Sequence, residues 1–299
     1  MTGILVATSD GLRSFGDGGA AGPVELEGLD VTALGTHRTD LWAVVDEREL
    51  WRRTGDDWAR VAELDGYRAT CVAYTDGLVV GTSEARLFRL DGDRLEPDPS
   101  FDGAPGRSGW YTPWGGPPDT RSITEWTPDV YVNVHVGGIV RTQHGSDDWT
   151  PTIDVDADVH QVAAAEGLVL AACAGGLAVS TDCGDTWTMR TEGLEARYSR
   201  AVAVCDGHVL VTTSNGPRGG RAGVYRGGLA SGAFERCRAG LPDWFEGNID
   251  TYCLDAVPDG SLAAFGTDDG RVFASTDAGA SWDGMVSGLP RVNRVLALS

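Results

Sequence analysis

Apolar residues in this chain come in short aliphatic runs, each cut off by Gly, Asp or Pro, and no long stretch keeps a helical period. Taken in one phase, the runs predict a repeated four-strand unit. Second strands are predicted at 4–9, 41–45, 78–83, 130–135, 168–173, 208–214 and 261–267. Third strands are predicted at 11–15, 49–53, 85–90, 138–142, 177–180, 223–226 and 271–275. Fourth strands open on a large apolar residue: Trp58, Leu95, Trp149, Trp187, Phe234 and Trp282. First strands begin near Asp30, Arg68, Arg121, His160, Arg200, Asp250 and Arg294. The chain begins on a second strand and finishes on a first strand at 292–298, so one further unit is assembled from both ends. A shared unit of that kind hides a sheet edge that would otherwise stay open. The expectation is an all-β, seven-bladed β-propeller, a single domain over 1–299, its last blade closed by the N-terminal strands plus the C-terminal strand.

Two turns repeat almost verbatim. One reads Ser180-Thr181-Asp182-Cys183-Gly184-Asp185-Thr186-Trp187, the other Ser275-Thr276-Asp277-Ala278-Gly279-Ala280-Ser281-Trp282. The Asp carboxylate is suited to accept turn amides, Gly to take a positive φ, and Trp to fill space between neighbouring sheets. These residues resemble the motif of the Asp-box propellers, also called bacterial neuraminidase repeat proteins. The chain looks most like their intracellular branch, which includes the photosystem II assembly-factor propellers and is loosely termed sialidase-like or glycosyl hydrolase-like. That resemblance implies that the boxes lie between third and fourth strands, away from the usual ligand face, and are structural. It also implies ligand binding at one mouth of the central channel.

Charge narrows the choice of partner. The formal balance is −20, and all 24 basic residues are arginine. A field of that sign disfavours nucleic acid and acidic membrane surfaces. No run approaches the roughly 18 apolar residues of a membrane span, and the N-terminus lacks the pattern of a secretory signal, so a cytoplasmic protein is expected. The six cysteines form no Cys-x-x-Cys pair, and five lie in or beside strand patterns, which favours reduced buried thiols.

Against so acidic a background, gathered arginines stand out. The aligned starts of the first strands place Asp30, Arg68, Arg121, His160, Arg200, Asp250 and Arg294 at one level near the axis. Arginine offers a planar fork of donors suited to carboxylate or phosphate, so Arg68, Arg121, Arg200 and Arg294 are candidate ligands for an anion. The same residues equally suit internal salt bridges with Asp30 and Asp250. Three longer loops are expected at this mouth: 108–120 with Trp110, Tyr111 and Trp114; 241–248 with Trp244; and 215–221, with His135 ending a strand beside them. His160 is the ring residue that titrates near neutrality, hence the candidate acid/base group, with Asp250 or Asp30 as its carboxylate. His135 with His160 and an Asp could hold a metal, but no ligand spacing demands one, and no cofactor is expected.

Three functions remain open from sequence. The first is binding of a small anionic ligand or an acidic peptide at the arginine-rich mouth, with acid/base chemistry of a hydrolase or lyase through His160. The second is a non-catalytic platform for a protein partner, of the assembly-factor type. The third is hydrolysis or lysis of acidic sugars. For the third, the resemblance implies a sialidase-like arginine triad, but the Arg-Ile-Pro element that precedes the first box in sialidases has no counterpart here.

Overall fold

The structure is a computed structural model that describes residues 3–16, 19–229 and 231–299. Six of the seven sheets follow chain order, and their neighbouring strands pair antiparallel, as short strands joined by tight Gly/Asp turns require. Blade 1 runs through Val31–His37, Asp40–Val45, Glu49–Thr54 and Asp57–Glu63. Blade 2 comprises Ala69–Tyr74, Leu78–Thr82, Arg86–Asp91 and Arg94–Pro97, and blade 3 Thr120–Trp126, Asp129–Val134, Gly138–Gln143 and Thr150–Pro151. Blade 4 comprises Val159–Ala165, Leu168–Cys173, Gly176–Ser180 and Thr188–Arg190, and blade 5 Tyr198–Cys205, His208–Ser214, Gly223–Gly228 and Glu235–Arg236. Blade 6 holds Leu254–Ala256, Ala263–Gly266, Val272–Ser275 and Asp283–Val286. In the seventh sheet the C-terminal strand Val292–Leu298 pairs with Gly3–Thr8, which pairs with Gly11–Gly16. The chain is an all-β, seven-bladed β-propeller whose ring is closed by strands from both ends.

The fold divides into two compact units. The first takes Met1–Asp30, Ala171–Val179 and Met189–Ser299, and the second takes Val31–Leu170 and Ser180–Thr188. The core of the first is aromatic: Phe265 lies 4.9 Å from both Phe273 and Trp282, and Phe245 meets Phe265 edge-on at 5.6 Å. In the second, Trp42, Leu50, Leu64, Val80 and Phe88 are buried around the first two blades. All six cysteines are free thiols; five are buried and Cys183 is exposed. Among the described residues, no helix is long and apolar enough to cross a membrane.

Each Ser-x-Asp turn is closed by the same bonds. Ser180 Oγ donates to Asp182 Oδ1 at 2.8 Å, and Asp182 accepts from the Thr186 amide at 2.9 Å and hydroxyl at 2.7 Å. Ser275, Asp277 and Ser281 repeat this at 2.8, 2.8 and 2.6 Å. Gly184 and Gly279 take φ of 91° and 82°, and each tryptophan indole donates to the carbonyl of that glycine. The donated hydroxyl and amide hydrogens, first those of Thr186 and Ser281, hold both carboxyls down at about 2.

One feature of the first strands is hidden from the sequence. Pairing slips by a residue between Val31 and Ala33, Ala69 and Cys71, and Thr120 and Ser122, the signature of a β-bulge. The extra residue is Thr32 in blade 1, Thr70 in blade 2 and Arg121 in blade 3. Asp30 and Arg68 sit just before their strands, two residues ahead of these bulges, whereas Arg121 lies within its own strand at the bulge. In the first unit the slip between Ser199 and Val202 takes in Arg200, the C-terminal strand slips at Asn293 rather than Arg294, and Asp250 precedes the short strand Leu254–Ala256. The expected single strand position is not common to these residues.

Candidate functional site

The second unit brings two histidines and a carboxylate together around a buried centre. His135 is the first residue of the turn leaving Asp129–Val134, with its amide held by the Asp119 carbonyl at 2.9 Å. Asp158 caps a short 3-10 turn at φ 48°, and His160 follows two residues later in Val159–Ala165. Asp158 and His160 both meet His135: His135 Nε2 lies 3.2 Å and His160 Nε2 3.7 Å from Asp158 Oδ1. The two imidazole centroids are 5.7 Å apart. His160 is fully buried and His135 nearly so, while the Asp158 side chain retains 31% exposure and forms the opening.

Burial alone would raise the Asp158 carboxyl. The hydrogen bond from His135 and the charges of His160, His135 and Arg121 outweigh it and hold the group below the usual carboxylate range. The carboxylate that faces His160 is therefore Asp158, a residue outside the set that the strand alignment singles out. A signal for it exists in Asp158-Val159-His160, a carboxylate two residues before an imidazole at a strand entry, but the acidic run 154–158 has the pattern of a solvated turn.

A loop covers this group. Thr112 closes a tight turn with Gly116 through amide and hydroxyl bonds of 3.1 and 3.0 Å, and Trp114 rides at its tip. The Trp114 ring sits 5.4 Å from that of His135 yet remains 69% exposed, and Tyr111 is 60% exposed. Trp110, expected at the mouth beside them, is buried against Phe101 at 5.8 Å under the Arg107 guanidinium. Arg68, the remaining arginine here, lies 3.1 Å from Glu47 and 3.7 Å from Asp119.

The first unit holds the other candidates. Arg200 pairs with Asp250 at 2.9 Å and lies over Tyr198. Asp30 accepts from the Asn293 amide at 2.8 Å. Arg294 is buried and stacks on Tyr252 at 3.7 Å. The loops 215–221 and 241–248 pack together, as the Gly220 amide donates to Glu246 and the Ala222 amide to Phe245. Trp244 is clasped between Arg221 and Arg236, 4.4 and 3.7 Å from its centroid. Of the salt bridges expected with Asp30 and Asp250, the Arg200–Asp250 pair is present, whereas Arg68 pairs with Glu47 and Asp119 and Asp30 with Asn293.

Asp255, also unforeseen, is the unusual carboxylate of this unit. Its Oδ2 accepts the Ala297 amide at 2.9 Å, and burial pushes its carboxyl up to about 6 despite that bond and nearby Arg294. The folded state therefore favours the protonated form. The resulting stabilisation is complete below the ordinary carboxylate value of about 4 and is lost as pH rises through about 6. Asp255→Asn is expected to raise stability at pH 7.5 by about 1–2 kcal/mol and to leave it nearly unchanged at pH 4. Urea midpoints at both pH values test this, and a variant less stable at pH 7.5 would mean that the ionised carboxylate is needed.

No protein-family model matches the chain, and no curated protein matches it. Solved structures do. YCF48 from Cyanidioschyzon merolae is 15% identical with a TM-score of 0.59, covering 87% of this chain and 86% of its own. A structure described as YCF48 bound to D1 peptide is 13% identical with a TM-score of 0.57, covering 93% and 87%. A chain of a nidogen/laminin complex is 8% identical with a TM-score of 0.58, covering 99% and 98%. At these identities the likeness is one of fold.

Proposed function

We propose that this propeller is an interaction platform that binds an extended segment of a partner protein carrying an acidic side chain or terminal carboxylate, over the loop 108–120. The observation that carries this reading is Trp114. An anchored turn holds its large ring out to solvent beside a half-open cluster, an arrangement with a hydration cost that a bound partner would remove. Tyr111 adds a second exposed ring, and Arg121 supplies positive charge nearby for the acidic group. The YCF48 structure with D1 peptide and the nidogen/laminin complex give precedent for this fold carrying peptide and protein partners.

A free small anion is the weaker reading, because carboxylates already sit against Arg68 and Arg200 and Arg294 lies on an aromatic face. Selection from a library of linear peptides tests the proposal. Enriched sequences are expected to carry an acidic group, and Trp114→Ala to weaken them by about tenfold or more. Trp126→Ala removes another exposed ring and serves as the control. No enrichment, or equal affinity for the Trp114→Ala and Trp126→Ala variants, would remove the basis for the reading.

A further inference from the structure

We propose that His135, Asp158 and His160 form a binding site for one divalent first-row transition ion such as zinc. Three donors converge: His135 Nε2, His160 Nε2 and an Asp158 carboxylate oxygen, with ligand atoms all within 4.8 Å of one another. Two donors each held about 2.0–2.1 Å from a common ion at a tetrahedral angle lie about 3.3–3.4 Å apart. The observed separations from Asp158 Oδ1, 3.2 and 3.7 Å, bracket that value.

The convergence has a second aspect. A carboxylate has two oxygens, and two imidazoles linked to it only by hydrogen bonds would be free to use one each. Here both Nε2 atoms gather at Oδ1, which suits a single positive centre lying between the three donors. Two neutral imidazoles and one carboxylate form a donor set characteristic of zinc and of related divalent ions. Burial of both histidines supplies rigidity, and the part-exposed side of Asp158 leaves an entry path and room for a further ligand. The overall −20 charge favours cations in general, whereas Arg121 is the local charge that opposes one.

The test uses the full chain, free of any histidine tag and stripped with a chelator. It is titrated with Co(II), read by its visible d–d bands, and with Zn(II), read by thermal shift. One equivalent of Co(II) is expected to bind with bands of low coordination number, and Zn(II) to raise the melting temperature. Asp158→Asn, a change at a part-exposed position, is expected to weaken binding at least about tenfold with an unchanged circular dichroism spectrum. His160→Gln should abolish it. Arg121→Met should tighten it about threefold or more, the opposite of what an anion site would show. His144→Gln alters a single histidine–carboxylate pair, 3.0 Å from Glu125, and should leave binding as it was. The proposal is overturned by the lack of saturable binding to the parent chain, by binding that survives Asp158→Asn, or by weaker binding in Arg121→Met. Peptide selection on the metal-free Trp114→Ala variant and the metal-free parent reads the platform function separately, so either result can fail without the other.

Discussion

Trp282→Ala is expected to lower the unfolding free energy by about 3–5 kcal/mol, among the largest losses available to a single side chain in this protein. Only 2% of Trp282 is exposed. Its ring meets Phe265 at 68° and 4.9 Å, inside the aromatic set with Phe245 and Phe273. Edge-to-face pairs of this kind add to the area they bury. The indole also donates to the Gly279 carbonyl at 3.2 Å, so truncation opens a cavity and orphans the end of its own turn. Its counterpart Trp187 is only half-buried, with an indole shared by the Thr152 and Gly184 carbonyls. Trp187→Ala should therefore cost less. Urea unfolding of both variants at one pH checks the order, and equal losses would mean that the two repeats are not differentially packed.

That asymmetry marks how much of the molecule can be read from its sequence. The strand–turn–strand unit is legible because a turn needs residues whose function is local: Asp182 and Asp277 as acceptors, Gly184 and Gly279 at positive φ. The seventh sheet is legible because strand sets counted in one phase leave the two ends with only each other. Side-chain placement at the inner strands is not. Alignment by apolar pattern sets Arg121, a bulge residue, level with Asp30 and Arg68, which precede their strands, and misses Thr32 and Thr70 at the equivalent bulges. Asp158 and Asp255 escape for a related reason. Each is defined by a neighbour from another part of the chain, His135 for one and Ala297 for the other, and no local spacing encodes that. Trp110 and Trp114 show the limit within a single loop, since four residues apart one is core and the other is surface.

The joints between outer strands are set by backbone, and Gly240 gives the sharpest test of them. Ahead of blade 6 the chain passes so close to the fourth strand that the Trp282 amide donates to the Ala239 carbonyl at 3.0 Å. A Cβ at Gly240 would stand 1.6 Å from the Trp282 carbonyl oxygen and 2.8 Å from its carbon, at a φ of 77°. The same joint occurs one blade earlier, where a Cβ at Gly193 would fall 1.9 Å from the Phe234 oxygen and the Phe234 amide donates to Glu192 at 2.8 Å. Neither obstacle is a side-chain tip that can swing away. Gly240→Ala must then break the strand contact as well as adopt a left-handed conformation, for an expected loss of about 3 kcal/mol or more. Gly288 supplies the control, with a φ of 78° and nothing within 4 Å of where an alanine methyl would stand. Gly288→Ala should show only the conformational cost of about 1–2 kcal/mol. The difference between their urea midpoints isolates the close approach. If the two variants unfold together, the blades are not locked at this glycine, and the Trp282 loss would have to be assigned to packing alone.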